Sequence, residues 1–210
     1  MNTGALFRVT PAVGAPPQPG ALACLGLVAI GYVVFCITYL PINALTTGRQ
    51  AHTLFLPGEV AIPLVPVFEF PYASAYVLPL VLVWRRPEAA RLGRLVRAFA
   101  ITLVSAYTIY LLLPVYFPRP TLTGHSLATR LLAFEYLDKP YNNFPSLHVG
   151  IAILVAFACA DDRRLRRWLP PLVALIAVST VFVKQHYILD VLAGAALAIA
   201  SWRLAACRPR

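Results

Sequence analysis

The chain alternates between long apolar stretches and short polar segments rich in arginine or proline. No residue between Arg8 and Arg49 is charged, so the first apolar stretch exceeds the roughly 20 residues that a transmembrane helix needs. The pattern predicts an all-α, polytopic membrane protein, a bundle of six transmembrane helices. The predicted spans are 21–47, 72–84 (extended backwards through 60–70), 98–117, 146–160, 168–183 and 186–204.

The composition agrees with lipid as the solvent of this protein. Hydrophobic residues make up 60% of the chain and charged residues only 12%, whereas soluble domains carry about 25% charged residues. Disorder, a coiled coil and a disulfide-rich secreted fold are therefore excluded. The net charge of +10 resides mainly on arginines between apolar runs, which indicates topology signals and no nucleic-acid partner.

The distribution of arginine predicts an orientation. Most basic residues fall before the first span, between the second and third, between the fourth and fifth, and after the sixth. The positive-inside rule assigns that side, with short tails at 1–20 and 205–210, to the cytoplasm. The rich use of Arg, Ala and Pro without an organelle signal favours a bacterial inner membrane.

Five polar residues fall at the opposite, extracytoplasmic ends of the last four spans: Arg119, His148, Lys184, His186 and Asp190. His186 and Asp190 are four positions apart, so on a helix they lie on one face. The carboxylate then fixes the imidazole tautomer and leaves the other ring nitrogen as a nucleophile or base.

His148 falls in the first turn of its predicted helix, after Pro145 and Ser146. Free amide groups at a helix start bind anions, and we expect those of 146–148 to point outwards. The planar guanidinium of Arg119 suits a phosphate. Two histidines, a carboxylate, an arginine and a helix start predict phosphoryl transfer through a histidine nucleophile, with no metal or other cofactor.

The order Arg-Pro, Pro-Ser-x-His, His-x-x-x-Asp resembles the type 2 phosphatidic acid phosphatase superfamily over about residues 98–204. The resemblance implies a six-span membrane catalytic domain at 21–204 that acts on a lipid phosphate held between His148 and His186. In that family pattern His186 is the nucleophile, Asp190 orients it, and His148 protonates the leaving alcohol. Arg119 and Ser146 hold the phosphate oxygens.

Three positions depart from the superfamily motifs, and two of them remove usual phosphate-binding cations, which argues against a standard phosphate-monoester pocket. Leu112 and Thr180 stand where the first and third motifs have a lysine and an arginine, and Leu147 replaces a glycine. Lys184 is the candidate replacement for a missing cation. The strings Phe-Pro-Ser-Leu-His and His-Tyr-x-x-Asp are more similar to inositol phosphorylceramide synthases, which use an alcohol in place of water as acceptor. The resemblance thus implies a phosphoric ester hydrolase or a phospho-headgroup transferase.

Other readings of the same residues stay open. His186 and Asp190 can be a structural pair that joins two helices. Two histidines and one carboxylate can form a metal site, although an arginine beside them favours an anion. A non-enzymatic lipid-binding or transport bundle is the alternative from another functional class.

Overall fold

The computed structural model describes residues 18–206, so most of both predicted tails lies outside the described residues. Within the described part the fold is helical and has no strands, as predicted. The α-helices are α1 (Ala21–Thr46), α2 (Glu69–Val77), α3 (Val81–Arg85), α4 (Ala89–Leu112), α5 (Leu127–Glu135), α6 (Leu147–Ala158), α7 (Leu165–Phe182) and α8 (Ile188–Leu204).

Among residues 18–206, four segments are long and apolar enough to cross a membrane: α1, the near-continuous helical run Pro66–Arg85, α4 and α7. The count of six spans is not confirmed, because α6 has 12 residues and α8 has 17. At 1.5 Å per residue, α6 is about 18 Å long, against a hydrocarbon core of about 30 Å. It is the central helix, packed against α4, α7 and α8.

The third predicted span is displaced along the chain. Its helix, α4, begins at Ala89 and ends at Leu112, not at 98 and 117. Arginine is a good helix former, so the basic segment before the apolar run continues the helix. Arg94 and Arg97 then reach across to α8, where they donate to the carbonyls of Trp202 (2.9 and 2.8 Å) and Ala205 (3.2 and 3.0 Å).

The crossing of α6 and α8 depends on small residues. Gly194 of α8 lies against the backbone of Ser146, and Gly150 of α6 lies against the carbonyl of Gly194. A Cβ atom built on Gly194 would overlap the carbonyl oxygen of Ser146. The start of α6 is therefore pressed directly onto α8.

We expect Gly194→Ala to lower the melting temperature by several degrees, because overpacking of this kind costs about 1–3 kcal/mol. The matched control is Gly26→Ala in α1, where an added Cβ meets nothing within 4 Å. In that control, the higher helix propensity of alanine leaves stability unchanged or raises it. Thermal unfolding of both variants in one detergent measures the difference, and equal melting temperatures would contradict the close crossing.

Candidate active site

The two histidines and the aspartate predicted to form the centre lie together. His148 Nδ1 is 3.3 Å from His186 Nε2, and His186 Nδ1 is 3.2 Å from Asp190 Oδ2. His186 is 4% exposed and Asp190 is fully buried. The three side chains thus form a linear hydrogen-bonded series, His148–His186–Asp190.

The structural basis of the His186–Asp190 contact differs from the prediction. His186 is not on α8, which begins two residues later at Ile188. Tyr187 is the N-cap, and Asp190 turns back to accept a hydrogen bond from the Tyr187 amide at 2.9 Å. The same carboxylate oxygen faces His186. The pair therefore arises from the N-terminal cap of α8, because a capping carboxylate reaches the residues before the helix.

Ser146 is the N-cap of α6, and its hydroxyl faces the amide of Val149 at 3.5 Å. Its own amide donates to the carbonyl of Asp190 at 3.0 Å. The expectation of a free outward-pointing amide at Ser146 is therefore wrong, since α8 already accepts its hydrogen bond. The same bond fixes the first turn of α6, and with it His148, next to Asp190.

The imidazoles touch, and this leaves no space for a phosphate between them. In-line attack by one nitrogen and proton donation by the other would separate those nitrogens by at least roughly 6 Å. The ring centroids are 5.5 Å apart, with the planes inclined by 63°. The expected gap between His148 and His186 is closed, and a substrate has to displace one ring.

Arg119 lies in the segment after α4, and its guanidinium is engaged with groups other than the two histidines. One terminal nitrogen donates to the carbonyls of Tyr136 (3.1 Å) and Asp138, and the other donates to Gln185 Oε1 at 2.7 Å. The guanidinium stacks over the Tyr136 ring at 4.8 Å. Its Nε is buried without a partner in the described part of the chain. Arg119 therefore anchors Gln185, the neighbour of His186.

Lys184 lies in the turn between α7 and α8, in the left-handed region with φ of 58°. It is 8% exposed, and burial lowers the pKa of its ammonium group, while the nearby Glu59 opposes that shift. Among residues 18–206 no hydrogen bond or ion pair joins its side chain to the histidines or to Asp190. Lys184 is thus two residues from His186 in the chain, and within the described residues it makes no polar contact with the centre.

Two tyrosines near His148 were not predicted from the sequence. The hydroxyls of Tyr72 and Tyr76, one turn apart on α2, are each 2.9 Å from His148 Nε2. Tyr76 also donates to Glu135 Oε2 of α5 at 2.8 Å. Their spacing of four residues is a weak signal, since aromatic residues are common in apolar helices.

An apolar cavity of about 380 Å³ has His148 and Tyr76 among its lining residues. Small-molecule sites begin at roughly this size. The cavity runs between α1, the Pro66–Arg85 segment, α4 and α6. Its walls include Leu27, Gly31, Val34, Cys36, Pro79, Leu95, Phe99, Leu103, Ile151 and Val155. The lining thus combines a polar, titratable side chain with mainly apolar walls that suit a hydrocarbon chain.

The arrangement of the three central side chains differs from that of a metal triad. Asp190 contacts the far nitrogen of His186, so the donor atoms follow one another in a row and do not converge on a point. In the part of the chain that the structure covers, no group of three or more His, Cys, Asp or Glu residues is placed to hold a metal ion.

Comparison with known proteins gives one match. Residues 51–204, nearly three quarters of the chain, match the family model described as the PAP2 superfamily. No curated protein and no solved structure matches. The inositol phosphorylceramide synthase-like branch is not confirmed, because the match is to the superfamily as a whole. The matched range contains every predicted site residue, and the chain belongs to the PAP2 superfamily.

Proposed function

We propose that the protein is an integral-membrane phosphatase or phosphotransferase that acts on a phosphorylated lipid through a phosphohistidine on His186. Membership of the PAP2 superfamily indicates phosphatase-type activity. The observation that carries the proposal is the His148–His186–Asp190 series, whose first member, His148, also lines an apolar cavity. Lipid phosphates have this same combination of an anionic head and a hydrocarbon body.

In the proposed reaction, His186 Nε2 attacks phosphorus while Asp190 accepts the hydrogen bond from Nδ1 and stabilises the positive charge that develops on the ring. The bond from phosphorus to the lipid oxygen breaks, and His148 gives its proton to that oxygen. Water or an alcohol then attacks the phosphohistidine. His148 takes the proton of the incoming hydroxyl, and His186 is released.

The other predicted residues have proposed supporting roles. Within residues 18–206 the buried Nε–H of Arg119 has no hydrogen-bond partner, and we assign it to a phosphate oxygen. Ser146 caps α6 two residues before His148, at the positive end of that helix dipole. Lys184 is the remaining cation close to His186 in sequence.

We propose six membrane crossings, with the active site at the extracytoplasmic face of a bacterial inner membrane. The support is that Arg94 and Arg97 lie near one end of α4 and contact the last turn of α8. His148 lies in the first turn of α6, and His186 lies just before the first turn of α8, which is the end of α8 opposite to the one that these arginines contact. The positive-inside rule assigns the arginine end to the cytoplasm. On this topology, the membrane crossing that contains the short helix α6 also includes parts of the loops on either side of it.

A second candidate within the same chemistry is a headgroup transferase similar to inositol phosphorylceramide synthases, with an alcohol as acceptor. The Phe-Pro-Ser-Leu-His string around Ser146 favours it. In both cases the phosphohistidine is the common intermediate, so the two differ only in the molecule that resolves it.

The deciding experiment uses purified protein with a panel of phospholipids and polyprenyl phosphates, with and without alcohol acceptors. We expect free phosphate from the hydrolase, or a new phospholipid detected by mass from the transferase. Vanadate, a mimic of pentacoordinate phosphorus, should inhibit, and a chelator should leave the rate unchanged. If no substrate in the panel gives either free phosphate or a new phospholipid, the result would favour the non-enzymatic binding or transport bundle.

A further inference from the structure

Glu59 is a buried carboxylate that the proposed reaction does not use. It opens a one-turn 3₁₀ helix, Glu59–Ala61, in the segment between α1 and α2, and it is 4% exposed. Its two oxygens accept hydrogen bonds from different backbone amides, Oε2 from Leu56 at 2.8 Å and Oε1 from Ile188 at 2.6 Å. The first bond closes a local turn. The second joins positions that are 129 residues apart, so it ties this segment to the start of α8.

The amide that Glu59 accepts is the first one of α8, directly after the N-cap Tyr187. Such an amide has no partner within its own helix, and a nearby cap or water usually satisfies it. Here the partner is a carboxylate from a distant segment. Since Asp190 accepts the Tyr187 amide at 2.9 Å, two consecutive amides at the start of α8 each have a carboxylate of their own. Negative charge at this end also favours the helix dipole.

His186 directly precedes these two capped amides. On its other side Gln185 is held by Arg119, which donates to its side-chain oxygen at 2.7 Å. The imidazole itself contacts His148 and Asp190, and these contacts require the backbone of His186 to lie where it does. An attacking atom must approach phosphorus to about 3–3.5 Å in the right direction, and a misplacement of about 1 Å costs up to about 100-fold in rate. The turn that carries the nucleophile therefore has to be fixed.

We infer that Glu59 is a positioning residue for the nucleophile: through the Ile188 amide it fixes the backbone turn from which the imidazole of His186 projects. The inference deepens the proposed function and rests on it for the role of His186. Hydrogen bonds from amides to a carboxylate are about twice as strong as those between neutral groups, which suits a contact between distant segments. Burial lowers the pKa of Lys184 and Glu59 opposes that shift, so the buried carboxylate has a cation beside it.

The first test variant is Glu59→Gln. The side-chain nitrogen of glutamine cannot accept a hydrogen bond, so one of the two backbone amides loses its acceptor while the shape of the side chain is kept. We expect kcat to fall by about 10- to 100-fold and KM to stay within about 2-fold of wild type, because the turn moves the nucleophile and leaves lipid binding intact. The matched control is Glu88→Gln at the start of α4, where the side chain makes no capping hydrogen bond. It should leave both constants unchanged.

The second variant, Ile188→Pro, removes the same hydrogen bond from the other side. Proline has no amide proton and is well suited to the first position of a helix. The preceding residue, Tyr187, already has the extended backbone (ψ of 158° or less, at 157°) that proline favours before it, so α8 should still form. We expect the same loss of kcat as in Glu59→Gln. Since both changes remove one contact, the double variant should lose no more than the more impaired single variant.

A measurement without substrate separates this inference from the proposed function. In ¹⁵N NMR of the histidine rings at about pH 8, His186 of wild type should carry its proton on Nδ1, which faces Asp190. In Glu59→Gln and Ile188→Pro the share of the other tautomer should rise, because the ring no longer meets the carboxylate squarely. Wild-type kcat in Ile188→Pro, losses that multiply in the double variant, or His186 signals identical to wild type in both variants would overturn the positioning role. Failure of the proposed function is seen separately, as absence of phosphate transfer by wild type.

Discussion

His186→Ala is expected to abolish phosphate release, with kcat lowered by at least about 1,000-fold. Removal of the imidazole takes away the atom that bonds to phosphorus in the proposed reaction. Water is a much weaker nucleophile than this imidazole and does not replace it. The side chain is buried and faces His148 and Asp190, so its loss also leaves a buried carboxylate without its partner. Steady-state phosphate release from a long-chain lipid phosphate measures the effect.

The matched control for this variant is His125→Ala, since His125 is exposed and outside the series. It should retain the wild-type rate. Brief incubation with a ³²P-labelled substrate should leave acid-labile label on wild type and none on His186→Ala. Retained turnover in His186→Ala, or label that survives the substitution, would remove His186 from the role of nucleophile.

A second large effect is expected from Gly31→Phe, which places an aromatic ring in the apolar cavity. Gly31 lines the cavity on α1, and an added Cβ there meets nothing within 4 Å. The ring therefore enters open space and occupies volume meant for a hydrocarbon chain. We expect kcat/KM for a long-chain lipid phosphate to fall by at least about 10-fold, while a short, water-soluble phosphate ester is turned over within about 2-fold of wild type.

Gly26→Phe is the control, because Gly26 is on the same helix, has equal space around its Cβ, and does not line the cavity. Gly26→Phe should leave kcat/KM for both the long-chain and the short substrate at the wild-type value. If Gly31→Phe lowers kcat/KM equally for the long-chain and the short substrate, the cavity does not hold the lipid chain.

Much of the fold and the centre of the site could be predicted from the sequence. Apolar runs of about 20 residues identify membrane helices because lipid admits few other backbone arrangements. His148, His186 and Asp190 were found because ionisable groups at membrane depth are rare and have a role when they occur. Their mutual contact in the structure is consistent with the predicted roles, which remain to be tested.

The parts that could not be predicted depend on tertiary contacts. Tyr72 and Tyr76 look like ordinary aromatic residues of an apolar helix, and only folding brings Glu135 to one of them. The start of α8 at Ile188 depends on its N-terminal cap. A separation of four residues between His186 and Asp190 fits both a helix and a capped turn, so the sequence does not decide between them. The closed contact between the imidazoles depends on ring orientations that no sequence pattern encodes.

The bond from the Ser146 amide to the Asp190 carbonyl, with Gly194 directly beneath it, joins the first turns of α6 and α8 into one rigid corner. This bond holds the first turn of α6, which carries His148, next to the first turn of α8, which begins two residues after His186. We therefore expect the phosphate to enter by rotation of the His148 and His186 side chains, a motion faster than helix displacement. Entry of the headgroup then requires no slow opening of the bundle, and the time taken by each catalytic cycle is left to chemistry and to the diffusion of lipid within the bilayer.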